Sequence, residues 1–297
     1  MATRIIPSNL LVRKPVNDGG TSGGDGGSGS TTYYPYNVLA LEYVNNISIN
    51  SFESFSESAA AKPDGTKIYL YGTSSGAVQQ FSLSTPWDLD TATLETSSPS
   101  LDPQDSFGKK IFFKPDGTKM YMSTQNKTIY QYTLSTPWDV STMTYDNVFL
   151  DYTQSALDSY SSTLFIDSTG TYMYGSNGNT IVRFIMSTPW DISTASWEEL
   201  FSTTARADTI ISGIFMDPTG TKLFVLELLY EWDTFIDQYD LSTPNTLSSA
   251  TYTATYTVDT SVTQGSEDIY IDTENGHEMI ILGASRVHRF QFTSTPT

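Results

Sequence analysis

Short apolar runs alternate with polar residues along most of this chain, a pattern that predicts half-buried β-strands. One stretch shows the arrangement clearly. Its segments are the mostly apolar Lys110–Phe113, then Lys119–Ser123, the alternating Thr128–Leu134 and the outer run Met143–Phe149. Because no helical periodicity of comparable length competes with these runs, we expect the stretch to form four antiparallel strands.

This unit recurs five times at intervals of about fifty residues, which indicates a repeat architecture. Two unrelated markers keep the period: a Gly-containing turn and a Ser-Thr-Pro corner. The turn glycines are Gly65, Gly117, Gly170, Gly220 and Gly276, and the corner prolines are Pro86, Pro137, Pro189, Pro244 and Pro296. Four antiparallel strands repeated around an axis form propeller blades. The sequence therefore predicts an all-β fold, a five-bladed β-propeller with four antiparallel strands per blade.

The two ends of the sequence predict how the ring closes. The last repeat stops at residues 294–297, before its fourth strand, whereas residues 36–43 resemble residues 145–152, the outer strand of the second unit. We therefore expect residues 36–45 to pair with the third strand of the fifth blade. Such closure by an N-terminal strand removes the exposed sheet edges that a linear stack would leave.

Composition divides the chain into three parts: an N-terminal docking arm (residues 1–17), a Gly/Ser-rich flexible linker (18–33) and the propeller (34–297). The arm is basic and apolar, whereas the whole chain carries a net charge of −18. Its predicted partner-docking residues are Arg4, Ile5, Ile6, Leu10, Leu11, Val12, Arg13 and Lys14. The alternative is a disordered leader without a partner, since terminal disorder is common.

The remaining composition mainly excludes functions. The acidic surface argues against nucleic acid as a partner, and the absence of cysteine excludes disulfides and thiolate metal sites. The chain has no apolar run long enough for a membrane span and no uninterrupted signal-peptide core, so neither membrane insertion nor classical secretion is expected. No cofactor is predicted, and the oligomeric state is open.

Four repeat units carry an acid at an equivalent position before the innermost strand. These candidate ligand or cation residues are Glu53, Asp105, Asp158 and Asp208. They are interpreted first as carboxylates that bond neighbouring backbone amides. The functional alternative is a cation or polar-ligand site at one mouth of the channel, because hard cations favour clustered carboxylates.

Two other features carry both a structural and a functional interpretation. The corner tryptophans Trp87, Trp138 and Trp190 are expected to pack between blades, with glycan stacking as the alternative. The fourth unit has a longer apolar hairpin, which is expected either to pack on its own blade or to contact a partner or ligand. Its candidate contact residues are Leu229, Tyr230 and Trp232. Catalysis finds no support, because the acids are equivalent by repeat and neither of the two histidines has metal-ligand spacing.

The motifs at Pro115–Lys119 and Leu134–Asp139 resemble a repeat of propeller proteins from marine tailed phages and bacteria, over about residues 36–297. The resemblance implies a non-enzymatic virion surface protein of the decoration, fibre or knob type, assembled in the host cytoplasm. Its arm would bind another virion protein, and its propeller would serve structural or host-surface contact, with host glycan as one candidate. The alternatives are a free-standing lectin-like, glycan-binding propeller and, third, a glycoside hydrolase.

Overall fold

The computed structural model describes residues 36–53, 55–152, 163–203, 209–229, 233–259, 266–272 and 276–293. Within these ranges the helices are single 3₁₀ turns at Val38–Ala40, Leu89–Thr91, Val140–Thr142, Ile192–Thr194 and Leu247–Ser249. The strands are β1 (Leu41–Ser48), β2 (Ser56–Ala61), β3 (Lys67–Gly72), β4 (Ala77–Leu83), β5 (Ala92–Ser97), β6 (Gly108–Phe113), β7 (Lys119–Thr124), β8 (Thr128–Leu134), β9 (Met143–Asp151), β10 (Phe165–Ile166), β11 (Tyr172–Asn177), β12 (Thr180–Met186), β13 (Ala195–Ser202), β14 (Thr209–Met216), β15 (Lys222–Leu229), β16 (Thr234–Leu241), β17 (Ala250–Val258), β18 (Ser266–Ile271), β19 (Glu278–Gly283) and β20 (Arg286–Phe292).

The strands form five antiparallel sheets of four, which confirms the predicted five-bladed β-propeller. Blades 1 to 4 are β2–β5, β6–β9, β10–β13 and β14–β17, and blade 5 has the order β18-β19-β20-β1. The first strand of each blade is innermost, and the inner strands of adjacent blades contact one another around a central channel.

The N-terminal strand closes blade 5 as predicted, but further along the sequence than expected. Strand β1 pairs with β20, and Tyr43 lies opposite Phe290 as Tyr145 lies opposite Tyr132 in blade 2. Tyr43 and not Tyr36 is therefore the equivalent of Tyr145. Tyr36 instead occupies the corner position, because it shares the positive φ of the corner tryptophans and packs on the glycine turn of its own blade.

The glycine turns and the corners pack against each other in every blade. Gly117 has φ +73°, and a Cβ there would lie 2.4 Å from the Trp138 ring. The Trp138 amide also donates to the Gly117 carbonyl at 3.1 Å. Glycine is thus required twice, since it permits the left-handed backbone and leaves room for the ring. The corner residues at the five glycines are Trp87, Trp138, Trp190, Asn245 and Tyr36.

The corner aspartates cap the short helices that follow them. Asp88, Asp139 and Asp191 each accept a hydrogen bond from the backbone amide two residues later. These carboxylates thus satisfy the backbone amides of the turns that follow them.

Adjacent blades are joined by glutamines on the third strands. Each of these glutamines is buried and accepts a hydrogen bond from the 3₁₀ helix of the next blade. The bonds are Val140 N–H to Gln80 (3.0 Å), Ile192 N–H to Gln131 (3.3 Å) and Val38 N–H to Gln238 (3.2 Å). The third-strand residues that follow Gln80 and Gln131, Phe81 and Tyr132, are buried in the core.

Candidate functional site

The predicted acid Glu53 lies just before the inner strand β2 and is 2% exposed. Its carboxylate accepts hydrogen bonds from the backbone amides of Phe55, Ser74 and Ser75 at 3.1 to 3.2 Å. The hydroxyl groups of both serines also donate to it. Glu53 therefore bonds the start of the inner strand to the turn between β3 and β4, which is the structural interpretation of this position.

Asp105 makes the equivalent connection in blade 2. It accepts from the Phe107 amide at 2.8 Å and from the Asn126 side-chain amide at 2.9 Å. Asp158 and Asp208 lie outside the described residues, so a ring of four acids that binds a cation stays a prediction. Within the described ranges, no group of three or more acidic or histidine side chains is placed to hold a metal ion.

Exposed apolar side chains stand beside these acids. Phe55 and Phe107, two residues after Glu53 and Asp105, are 68% and 55% exposed, and the equivalent Ile210 of blade 4 is 47% exposed. They lie where the inner strands begin, on the side of the turns between second and third strands, which we call the hairpin face. The glycine turns and corners lie at the other ends of the strands, on the corner face. Three blades thus present apolar groups around one channel mouth.

Deeper in the channel, the structure places a polar layer that sequence reasoning missed. Lys110 of β6 is 2% exposed, and its ammonium donates to the carbonyl oxygens of Glu57 in blade 1 and Glu267 in blade 5. Ser58 donates to the Asp268 carboxylate and accepts from the Ile111 amide at 3.0 Å. These bonds join blades 1, 2 and 5.

This polar layer has a signal in the sequence once the inner strands are aligned. Ser58, Lys110, Thr163 and Asp268 precede equivalent apolar runs in four blades, and Gly213 occupies the position in blade 4. In a single repeat, Lys110 looks like an ordinary charged residue at the start of a strand. Only the convergence of five strands on one axis shows that Ser58, Lys110 and Asp268 lie close together.

Burial raises the pKa of Asp268 to about 6. The nearby Lys110 ammonium and the hydrogen bonds from Ser58, Ile269 and Ala59 act in the opposite direction. Desolvation wins because the carboxylate lies at the bottom of a largely apolar channel. Nearer the hairpin face, the ammonium of Lys109 pairs with Glu57 at 2.8 Å.

The corner tryptophans are used in packing. Trp138 is buried, and Trp87 and Trp190 are half-buried. Besides covering the glycine turns, each indole stacks on an aromatic ring of an inner strand. The pairs are Trp87–Tyr270 (ring centroids 6.3 Å apart), Trp138–Phe113 (5.6 Å) and Trp190–Phe112 (6.5 Å). This geometry supports the structural interpretation of the tryptophans and weakens their interpretation as glycan-stacking surfaces.

An open aromatic surface occurs instead at the rim of blade 2. A groove of about 270 Å³ is lined there by Tyr130, Tyr145 and Phe149 together with the polar side chains of Gln104 and Asp151. Tyr130 and Tyr145 meet edge to face at 5.9 Å. Aromatic faces beside hydrogen-bonding groups can hold a molecule that is partly apolar and partly polar.

The predicted contact loop of blade 4 is only partly described. Leu229 ends β15, is half-buried, and its amide donates to the Asp233 carbonyl at 2.9 Å. Tyr230 and Trp232 lie outside the described residues, as does the whole docking arm. The contact role of this loop stays a prediction. In the described part of the chain, no helix has the length and apolar character needed to cross a membrane.

The sequence matches no protein-family profile and no curated protein at a significant level. Its fold is similar to several solved structures. Hydrazine synthase of Kuenenia stuttgartiensis is 12% identical, with a TM-score of 0.46 over 77% of this chain and 55% of that one. The β-propeller domain of Cps50 (Swd1) from Myceliophteria thermophila is 11% identical, with a TM-score of 0.42 over 80% of this chain and 70% of that one. A Lactobacillus plantarum protein is 14% identical, with a TM-score of 0.46 over 76% and 63%.

The chain thus spans less than two thirds of two of these proteins. Similarity at this level transfers no activity, because one propeller fold serves many unrelated functions.

Proposed function

We propose that this chain is a non-enzymatic virion surface protein of the decoration, fibre or knob type. Residues 1–17 would bind another virion protein, and the propeller would be presented for structural or host-surface contact. The proposal extends the resemblance of the repeat to propeller proteins of marine tailed phages and bacteria. It places the protein on the particle after assembly in the host cytoplasm.

The observation that carries this proposal is that the corner face and the hairpin face of the propeller carry different features. The described chain begins at Tyr36 on the corner face, where its ring packs on the Gly276 turn. The exposed Phe55, Phe107 and Ile210 lie on the hairpin face. The six residues of β2 run between the two faces, a distance of about 20 Å. The hairpin face of the propeller thus exposes apolar side chains that can meet a partner.

The bonding of the acids supports a non-enzymatic role. Glu53 and Asp105 occupy equivalent positions, and both are bonded to the amides of their own blades. A glycoside hydrolase needs an acid and a second carboxylate in unlike positions around its substrate. Carboxylates that bond the hairpins of blades 1 and 2 in the same way suit a scaffold better.

The anchoring role is tested by deleting residues 1–17. We expect the truncated protein to keep the circular dichroism spectrum and melting temperature of the full chain, since the first strand of the ring is β1 (Leu41–Ser48), but to be absent from purified particles. As a matched control, shortening the linker by deleting residues 20–24 should leave incorporation intact. Normal incorporation without the arm would refute this role.

The role of the hairpin face is tested on particles that contain the protein. The double substitution Phe55→Ser/Phe107→Ser should reduce adsorption to host cells while incorporation stays normal. Leu94→Ser, which removes a comparably exposed side chain from the outer strand of blade 1, is the control. Equal adsorption of all three particles would remove the hairpin face from the proposal.

A second candidate function is glycan binding by a free-standing, lectin-like propeller. The aromatic groove at the rim of blade 2 favours it, because sugars stack on exposed rings and bond to adjacent polar groups. A glycan array would test it with the unmodified chain and with Tyr145→Ala. Hits that vanish in the variant would support this function, and an array without hits would exclude the glycans tested.

A further inference from the structure

Blade 1 interrupts a layer of aromatic residues in the channel. At one inner-strand position, blades 2 to 5 carry Phe112, Phe165, Phe215 and Tyr270, whereas blade 1 carries Ala60. The equivalence follows from strand pairing, since Phe112, Phe165 and Ala60 lie opposite Tyr121, Tyr174 and Tyr69 of their second strands. The neighbours of Ala60 in blade 1 are also alanines, Ala59 and Ala61.

The aromatic residues of this layer contact one another and the corner of the next blade. Phe165 meets Phe112 at 5.5 Å and Phe215 at 5.4 Å. Phe112 stacks on Trp190 of blade 3 at 6.5 Å, and Tyr270 stacks on Trp87 of blade 1 at 6.3 Å.

Ala60 has no ring to offer the next corner, which carries Trp138. Trp138 stacks instead on Phe113 of its own blade at 5.6 Å. The channel contains a cavity beside Ala60. Its volume is about 210 Å³, and Trp138, Ala60 and Phe113 are among its lining residues. The walls are formed by the inner strands of all five blades, and Pro63, Pro115 and Pro218 stand around its end at the corner face.

The volume and the walls of this cavity define the size of an occupant. A cavity of about 150 Å³ lined by Leu, Ile and Phe holds benzene. At about 210 Å³ this cavity fits a slightly larger molecule, of about the size of indole. Its aromatic walls favour a flat ring, since rings gain from stacked and edge-to-face contacts.

Asp268, at one end of the cavity, limits the charge of an occupant and offers it one polar contact. Asp268 lines the cavity and accepts hydrogen bonds from Ser58, Ala59 and Ile269. A carboxylate has about four acceptor positions, so one ligand N–H or O–H can be added. The site already holds one group of each sign, because the Lys110 ammonium lies close enough to Asp268 to favour its ionised form. A charged ligand would bring an unbalanced charge into an apolar site, whereas a neutral one would not.

We propose that the cavity is a binding site for a small, uncharged aromatic molecule with a single N–H or O–H that donates to Asp268. Trp138 and the rings of the inner strands hold its apolar body. The cavity lies between the inner strands of all five blades, and the small side chains of the blade 1 alanines line one side of it. This ligand role goes beyond virion attachment and does not depend on it.

Calorimetric titration of the full chain with indole tests the proposal. We expect saturable binding of one indole per chain and binding of 1-methylindole, which lacks the N–H, at least about tenfold weaker. Benzoate, which is aromatic but anionic, should not bind. If no saturable indole binding is detected, the proposed site is overturned. If 1-methylindole binds as tightly as indole, the proposed contact with Asp268 is overturned.

The variant Ala60→Phe supplies the ring that blade 1 lacks. It should lower indole affinity at least about tenfold and raise the melting temperature, because the added ring fills the cavity. Ser97→Phe is the matched control, since it adds the same side chain at an exposed site where blade 2 already has Phe149. Should Ala60→Phe fail to fold, Ala60→Leu fills less of the space and should give the same direction of change. Unchanged indole affinity in a folded filling variant would place the ligand elsewhere.

Discussion

The corners and the inner strands are both repeated five times, but they differ in how far their residues repeat. Every corner residue has a positive φ and packs on a glycine, whichever side chain it carries. At the polar layer of the channel, the five equivalent residues are Ser58, Lys110, Thr163, Gly213 and Asp268. The corner repeats because each blade needs the same contact between its glycine turn and its own corner residue.

The channel cannot repeat in the same way, because its five positions face each other. Five lysines or five aspartates in one buried layer would repel each other strongly. A buried polar layer therefore needs unlike residues that complement one another, as Lys110 and Asp268 do. Repeated positions therefore indicate the fold of a blade, whereas departures on the inner strands indicate what the assembled ring does.

The largest expected effect comes from breaking a corner. Gly117→Ala forces a Cβ into the Trp138 ring at φ +73°, so unfolding free energy should fall by about 3 kcal/mol. Gly178→Ala is the control, since Gly178 has φ +56° with nothing near its Cβ position, and should cost about 1 kcal/mol. Urea denaturation measures both. Equal losses would show that the ring contact adds nothing to the backbone requirement.

A smaller loss should follow from breaking the polar layer. Lys110→Met removes two charged hydrogen bonds and leaves Asp268 without a nearby cation, which should cost about 2–3 kcal/mol. Its neighbour Lys109 pairs with Glu57 near the surface, so Lys109→Met should cost less than about 1 kcal/mol. If both lysines proved equally dispensable, the polar layer would not hold blades 1, 2 and 5 together.

The smallest expected effect is the pH dependence of stability, to which Asp268 in the channel and His288 on β20 contribute with opposite signs. Burial raises the pKa of Asp268 to about 6, so the folded state binds a proton there and gains stability as pH falls from 6 to 5. Burial, with the Arg286 charge, lowers the pKa of His288 to about 4, so protonation of the unfolded state removes stability over the same interval. The two contributions oppose each other.

Each contribution is worth about 1 kcal/mol between pH 6 and 5. Asp268→Asn should therefore make the protein lose about 1 kcal/mol more than the unmodified chain over this step, and His288→Gln should make it lose about 1 kcal/mol less. Urea denaturation at both pH values checks the signs. Parallel pH profiles for both variants and the unmodified protein would contradict these assignments.

The sequence predicts the structure of a single blade, but not which side chains meet in the channel. The positive-φ glycines, the caps at Asp88, Asp139 and Asp191, and the closing strand all follow from local patterns and their period. The equivalence of Tyr36 with the corner tryptophans was missed, because Tyr36 replaces Trp and its glycine partner, Gly276, is distant in sequence. Lys110 was missed since its carbonyl partners belong to two other blades.

The chain by itself determined the number of blades, the strands within each blade and the way the ring closes, because turns and alternation act over a few residues and repeat. Tertiary structure alone decided which side chains share the channel, that Ala60 leaves a cavity beside Trp138, and that Phe55 and Phe107 lie on the face opposite Tyr36. These results depend on five strands meeting at one axis. Residues that are far apart in the sequence come into contact only once the ring is closed.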